Sequence, residues 1–369
     1  MKVAILSKAL VVGASHSKLT QLAALPDVEL AAIVPPSWRD ERGTLQLERT
    51  SVDNYQMIIT PIRFNGSFHL HYYPQLDRLL DRLQPDILHV DEEPYNLATF
   101  LALRSAQRVG AHSLFFSWQN LNRRYPFPFN LIERYVLDRA EACIAGNHEA
   151  ERVWRAKGYR GLIEIIPQFG VDPDVFAPAA GHQATGQLVI GYVGRFVKEK
   201  GLDLLLKALS KLDGDWRADL IGSGPARAGL IELARRLNLA DRVRWLNWIP
   251  SSEIHDFYRT LDVLVLPSRT KPNWKEQFGR VLVEAMACGV PVIGSTCGEI
   301  PNVVGDAGLI FPEGDVDALH DQLSRLQRDA ALQIELAQRG RQRVLDHFTQ
   351  AQIARKTYEV YQRLMSKER

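Results

Sequence analysis

Two spacings alternate along this chain. Short apolar runs bounded by glycine, proline or polar clusters predict buried strands at 3–6, 28–34, 87–90, 113–117, 144–145 and 163–166, then at Leu188–Val193, Trp216–Ile221, 243–245, 261–267 and 290–294, and short strands are expected at 57–61 and 64–68 within the polar, mixed stretch 37–68, which has no clear periodicity. Between them, apolar residues return every three or four positions. That spacing predicts helices at 18–25, 73–83, 96–108, 130–139 and 147–157, from Leu202 onward, and at Arg280–Ala287, 318–328, 330–348 and Gln350–Met365. Strands and helices in alternation predict an α/β protein with doubly wound parallel sheets. Residues 177–187 (APAAGHQATGQ) follow neither spacing and are small and polar, which predicts a linker between a domain at 1–176 and another at 188–348.

Length supports two cores, since 369 residues exceed what one usually holds. A net charge of +2 argues against a general nucleic-acid binder but leaves room for a local basic face. Cys143, Cys288 and Cys297 have neither paired nor metal-like spacing, so no disulfide framework or metal site is expected, and a reducing cytoplasm fits. The amino terminus is apolar, but Lys8 interrupts it and no small-residue cleavage site follows, so it is read as a first strand rather than a signal peptide. No run approaches the ~18 apolar residues of a membrane helix, which limits membrane contact to a peripheral one.

The chemistry concentrates in residues 275–295 (KEQFGRVLVEAMACGVPVIGS). The order of elements sets Glu276 in the loop at a strand's carboxyl end, where open parallel sheets bind ligands, and Glu284 two turns along the following helix. The amides of Gln277, Phe278 and Gly279 and the helix's positive end suit an anion. Two carboxylates beside an anion site make sense if they hold neutral hydroxyls while amides and a cation hold phosphate. A nucleoside diphosphate sugar combines those groups.

Other positions extend this reading. Arg195 and Lys200 follow strand Leu188–Val193 and would neutralise a diphosphate. Gly222 and Gly224 follow the next strand, and Gly298 and Glu299 open a later helix, each loop able to present amides. Gly13, after the first strand, is a further phosphate candidate. Asp91, Glu92, Glu93 and Tyr95 follow strand 87–90, offering carboxylates and a ring to an acceptor sugar, or else a solvated loop capping helix 96–108. Trp118, Gln119 and Asn120 follow strand 113–117 and could bind hydroxyl or phosphate. Arg123, Arg124, Tyr125, Phe127, Phe129 and Arg134 mix cations with aromatics, which suits either an anionic membrane surface or the ordinary packing of helix 130–139.

Glu276, Phe278, Gly279, Glu284, Ala285, Gly289, Pro291 and Val292 resemble the E-x7-E signature of family 4 retaining glycosyltransferases, and residues 194–201 are similar to that family's G-R-x-x-x-x-K-G element. The resemblance implies the GT-B arrangement, two doubly wound Rossmann-like domains facing across a cleft, with helix 349–369 crossing back to the amino-terminal domain. It implies transfer of a hexose-type sugar from a UDP- or GDP-sugar to an acceptor hydroxyl with retained configuration. Glu276 would contact the donor sugar and Glu284 the ribose, with no metal and no cofactor beyond the donor. Acceptors in such synthesis are saccharides, lipid-linked sugars or small molecules. The chain departs from the family in having Ala14 after Gly13, where two glycines are usual, and Trp118-Gln119-Asn120 where many members carry a histidine. Two rival functions are a nucleotide-sugar epimerase on the same scaffold and an inactive binding module.

Overall fold

The computed structural model describes residues 1–40, 43–48, 54–179, 186–250 and 253–366. The chain folds as two units, Met1–Gly170 with Gln350–Arg369, and Val171–Thr349. The linker expected at 177–187 falls partly on residues 180–185, outside the described residues.

Unit 1 contains β1 (Lys2–Leu6), β2 (Glu29–Val34), β3 (Ser37–Asp40), β4 (Gly43–Gln46), β5 (Gln56–Ile59), β6 (Ile87–Val90), β7 (His112–Ser117), β8 (Ala142–Ala145) and β9 (Leu162–Ile165). Seven of these make one sheet in the order β5-β2-β1-β6-β7-β8-β9, parallel throughout. Strands β6, β7 and β8 are buried along their whole length, as the unbroken apolar runs require of a sheet covered on both faces. One face packs Phe115 edge-on against Trp154 and Tyr159. The other carries helix His16–Ala23 and helix Gln350–Met365, whose Ile353, Val360, Tyr361 and Leu364 join Val3, Ile5 and Leu19 in a shared core. The Tyr361 hydroxyl meets buried His89 Nδ1 at 2.7 Å.

Unit 2 contains β10 (Leu188–Val193), β11 (Trp216–Ile221), β12 (Val243–Leu246), β13 (Val263–Leu266), β14 (Val292–Ser295) and β15 (Leu309–Phe311), in the order β12-β11-β10-β13-β14-β15, again all parallel. Each unit is therefore a doubly wound Rossmann-like fold. Strand order reverses beside β1 and β6 in unit 1 and beside β10 and β13 in unit 2. Loops leaving the carboxyl ends of those strands part there, which opens a crevice. Among the described residues no helix is long and apolar enough to cross a membrane.

One predicted strand is absent. Residues 64–68 form a turn in which Phe64 and Gly66 have φ of 52° and 97°, and Ser67 donates its amide to the Phe64 carbonyl at 2.9 Å. Left-handed backbone ends an extended run whatever its apolar spacing. The antiparallel pair β3–β4 lies where the sequence shows no clear periodicity. The first helix starts earlier than its apolar period, at His16, after a tight turn at Gly13–Ser15.

The switch point of unit 1 is bound by charge. Lys8, after β1, donates to the fully buried carboxylate of Glu92, after β6, and His71 Nε2 lies 3.5 Å from the same group. Burial alone would raise the Glu92 pKa; Lys8 and His71 instead hold it at about 2, below its usual 4.5. A carboxylate with a depressed folded pKa stabilises the fold above its unfolded pKa, and that contribution drains as pH falls from about 4.5 toward 2. Removing one partner of a buried pair leaves the other charge uncompensated. Glu92→Gln is therefore expected to cost about 3–5 kcal/mol at pH 7 in urea unfolding, with the difference from wild type shrinking below pH 4.

Candidate functional site

Two loops of unit 2 meet at its switch point. Strand β10 ends at Val193 and delivers Gly194, Arg195 and, through the turn Lys198–Lys200, the Lys200 ammonium. Strand β13 ends at Leu266 and delivers Ser268 and then Glu276. Lys200 Nζ lies 2.6 Å from Glu276 Oε2, and the Ser268 hydroxyl donates to that oxygen at 2.8 Å. Ser295, at the end of β14, donates in turn to the Ser268 carbonyl. The Lys200 ammonium also sits over the Trp274 ring, 5.1 Å from its centroid. The bonds from Lys200 and Ser268 both fall on Glu276 Oε2.

The Glu276 main chain is equally fixed. Its carbonyl accepts from the Glu299 amide at 3.0 Å, and Gly298 lies so close that a Cβ there would stand 2.1 Å from the same carbonyl. With φ of +58° as well, position 298 admits only glycine without strain. Gly222 is held by a comparable approach: a Cβ would lie 1.9 Å from the Gly194 carbonyl, where the loops after β10 and β11 cross. Gly224 lies against the carbonyl of Phe196 in the same crossing. These glycines are thus required by loop-to-loop packing as well as being candidates for a phosphate.

Gly279, with φ of +80°, turns the chain into helix Arg280–Ala287. Gln277 is exposed, whereas the Phe278 ring is buried edge-on against Phe348, so only the Phe278 main chain can face a ligand. Glu284 is buried on the helix with both oxygens engaged: Tyr258 donates to Oε2 at 2.7 Å and Arg280 Nε to Oε1 at 2.6 Å. Burial and the neighbouring Glu284 charge raise the Tyr258 hydroxyl well above its usual pKa, which keeps it a donor. A cavity of about 310 Å³ lies here, lined by Arg195, Gly222, Ser223, Trp248, Arg280 and Glu284 together with the apolar side chains of Val193, Ile221, Ile249 and Ile254. Arg195 and Glu284 thus share the cavity wall, while Lys200 and Glu276 form an ion pair at the carboxyl ends of the adjoining strands.

Tyr258, Ser268, Trp248 and Trp274 carried no motif in the sequence. The i,i+4 spacing of Arg280 and Glu284 was the one available signal for this pair.

In unit 1 the expected acceptor residues are drawn into the protein. Asp91 accepts from Ser7 and from Gln168 Nε2, each at 2.9 Å. Glu92 is the buried partner of Lys8. Glu93 accepts from the Ser117 hydroxyl at 2.5 Å and the Trp118 amide at 2.8 Å, and burial, opposed by these bonds, pushes its pKa up to about 7. These acids are neither a solvated loop nor helix caps; they tie the loops after β1, β6 and β7 together. Tyr95 stacks on Tyr125 with centroids 4.1 Å apart. Gln119 spends its carboxamide within its own loop, donating to the Leu121 carbonyl and accepting from Tyr125, and Asn120 is buried beside it. The Trp118 ring covers Gly146, where a Cβ would lie 2.3 Å from it, and its Nε1 donates to Gln168 at 3.0 Å. Gly13 donates its amide to the Glu48 carboxylate at 2.6 Å.

Comparison with known proteins places this geometry. Residues 177–343 match the family model described as glycosyl transferases group 1, and residues 31–175 the one described as glycosyltransferase family 4. A D-inositol 3-phosphate glycosyltransferase of Mycolicibacterium smegmatis is 33% identical over 217 residues, 54% of this chain and 48% of the relative. From the same organism, a GDP-mannose-dependent alpha-(1-6)-phosphatidylinositol monomannoside mannosyltransferase is 29% identical over 66% of this chain and 68% of its own length. The chain spans about half the length of the first curated relatives it matches. Among solved structures, a glycosyltransferase of Rickettsia africae superposes with a TM-score of 0.74 at 17% identity, covering 100% of this chain and 99% of that one. Anabaena HepE in complex with UDP superposes at 0.72 and 16%, covering 98% and 100%. These two likenesses concern the fold. With a family model matched in each half and two Rossmann-like units of the GT-B type, the chain belongs to the group 1 glycosyltransferases.

Proposed function

We propose that this chain moves a hexose-type sugar from a UDP- or GDP-sugar to an acceptor hydroxyl with retention at the anomeric carbon. The observation that carries the reading is the convergence of Arg195, Lys200, Glu276 and Glu284 at one switch point, two cations for a diphosphate and two fixed carboxylates for hydroxyls. Relatives named for an inositol phosphate, a phosphatidylinositol mannoside and, in Streptomyces kanamyceticus, 2-deoxystreptamine support a hydroxyl-bearing acceptor.

In this reading the protein performs little covalent chemistry. Arg195, Lys200 and the amides after Glu276 stabilise the charge left on the departing diphosphate. Lys200 serves both partners, since its bond to Glu276 orders the carboxylate that positions the sugar. Glu284, its carboxylate oriented by Tyr258 and Arg280, holds the ribose. The cations take the role a metal would fill, so we propose a metal-independent reaction. Its site is the cytoplasm, which suits three buried free thiols. A lipid-linked acceptor would bring the protein to a membrane surface.

A ligand that binds only the folded state raises the melting temperature. Without added metal, one nucleoside diphosphate family, uridine or guanosine, should therefore shift Tm while the others do not; absence of any shift would overturn the donor assignment. The responding sugar nucleotide, incubated without acceptor, should be recovered unchanged, whereas an epimer would identify the protein as an epimerase.

Glu276→Ala should lower kcat/KM by about 2–4 kcal/mol of transition-state stabilisation, with near-wild-type turnover counting against the role given to Glu276. Glu284→Ala should act mainly on donor KM. A loss confined to kcat at saturating donor would remove Glu284 from the ribose.

A further inference from the structure

Between the end of β13 and Glu276 the chain builds a small hairpin. The amides of Lys271 and Trp274 each donate to the other residue's carbonyl, at 2.8 and 3.1 Å, which closes a turn over Pro272 and Asn273. The base of the hairpin is pinned to neighbouring loops. Thr270 donates its amide to the Glu313 carboxylate at 2.6 Å, and its hydroxyl lies 3.6 Å from Cys297 Sγ. Arg269 donates its amide to the Glu199 carbonyl at 2.8 Å, Nε to the Lys198 carbonyl at 3.0 Å and a terminal nitrogen to Asp203 at 2.6 Å. The loop that carries the hairpin therefore also grips the turn Lys198–Lys200, from which the Lys200 side chain projects.

This anchoring sets the Trp274 ring against the Lys200 ammonium, with Nζ 5.1 Å from the ring centroid. Lysine carries its charge on a flexible four-carbon stem, so a fixed backbone does not by itself fix the charge. Glu276 Oε2 supplies one hold at 2.6 Å and the ring supplies another. The two differ in kind. A carboxylate compensates the charge of the lysine, whereas the ring attracts it through its quadrupole and adds no net negative charge to repel an anion. Trp274 is half-buried and the Lys200 side chain is only 18% exposed, so the ring also shields the ammonium from water, and a phosphate meeting it there is less screened.

We propose that Trp274 is a positioning residue that acts through Lys200, holding the ammonium for the sugar-bearing phosphate of the donor. The inference rests on the function proposed above and deepens it. Lys200 is bonded to the carboxylate assigned to the sugar, so its charge falls to the phosphate next to the sugar, the group that a nucleoside monophosphate lacks. The test is calorimetric titration of the full chain with UDP, UMP, GDP and GMP. The wild type should bind one diphosphate, and bind it more tightly than the matching monophosphate. Trp274→Leu should weaken that diphosphate about tenfold and leave the monophosphate within about twofold of wild type. Trp274→Phe, which keeps a ring, should stay within about threefold of wild type for the diphosphate. In a Lys200→Met background, Trp274→Leu should cost the diphosphate no further affinity, as expected of two residues that act as a unit. If Trp274→Leu does not fold, Trp274→Gln takes its place in both backgrounds. Equal losses for diphosphate and monophosphate, a phenylalanine variant no better than the leucine one, or an undiminished loss in the Lys200→Met background would each overturn the proposal. A wild type that binds neither diphosphate would overturn the donor assignment and this proposal with it, whereas a wild type that binds one, beside a Trp274→Leu that binds it equally well, would overturn this proposal alone.

Discussion

The candidate site depends on how tightly Glu276 is fixed. Its carbonyl is bonded to the Glu299 amide and pressed by Gly298, and its carboxylate is bonded to Lys200 and Ser268. Those contacts come from the ends of β10, β13 and β14, so three neighbouring parallel strands specify one side chain. A group held from three strands loses little further entropy when a ligand arrives, which is what preorganisation requires. Glu284 is fixed in a similar way by a helical neighbour and a buried tyrosine. Both carboxylates therefore stand oriented before a substrate binds.

Unit 1 uses its charges differently. Asp91, Glu92 and Glu93 lie at the equivalent strand end, yet each is bonded to a neighbouring loop through Ser7, Lys8, Ser117, Trp118 or Gln168. The same topological position thus serves cohesion here and candidate ligand binding in unit 2. The difference follows from burial. Glu92, its carboxylate wholly sealed from water, must be paired to remain charged and has no open face toward a sugar, whereas Glu284, though also paired, borders a cavity. Trp118 belongs to the same framework, its indole spanning Gly146 and anchored by Gln168, so this loop packs its side chains inward where a titrating histidine is common in the family.

Much of this was legible in advance because it rests on local spacing. Arg280–Ala287, Leu188–Val193, Trp216–Ile221 and Gln350–Met365 have the bounds their apolar periods predict, and the helices near 316–328 and 330–347 differ by two residues or fewer. Where spacing failed, backbone geometry overrode it. A short strand was expected at 64–68 in a stretch without clear periodicity, but left-handed φ at Phe64 and Gly66 closes it into a turn and leaves both rings exposed. The β3–β4 pair was invisible because strands this short hold too few residues for a period to show.

By itself the sequence determined the class of the fold, the order of its elements and the identity of the chemically significant loops, since periodicity and motif spacing are properties of neighbours along the chain. Tertiary structure alone decided which charges meet. Lys200 and Glu276 are separated by 76 positions and Lys8 and Glu92 by 84, and only the parallel register of β10 with β13 and of β1 with β6 brings each pair together. It also decided that the Glu92 carboxylate is sealed from water while that of Glu276 keeps some exposure, because burial is set by everything packed around a side chain and not by the residues beside it in sequence.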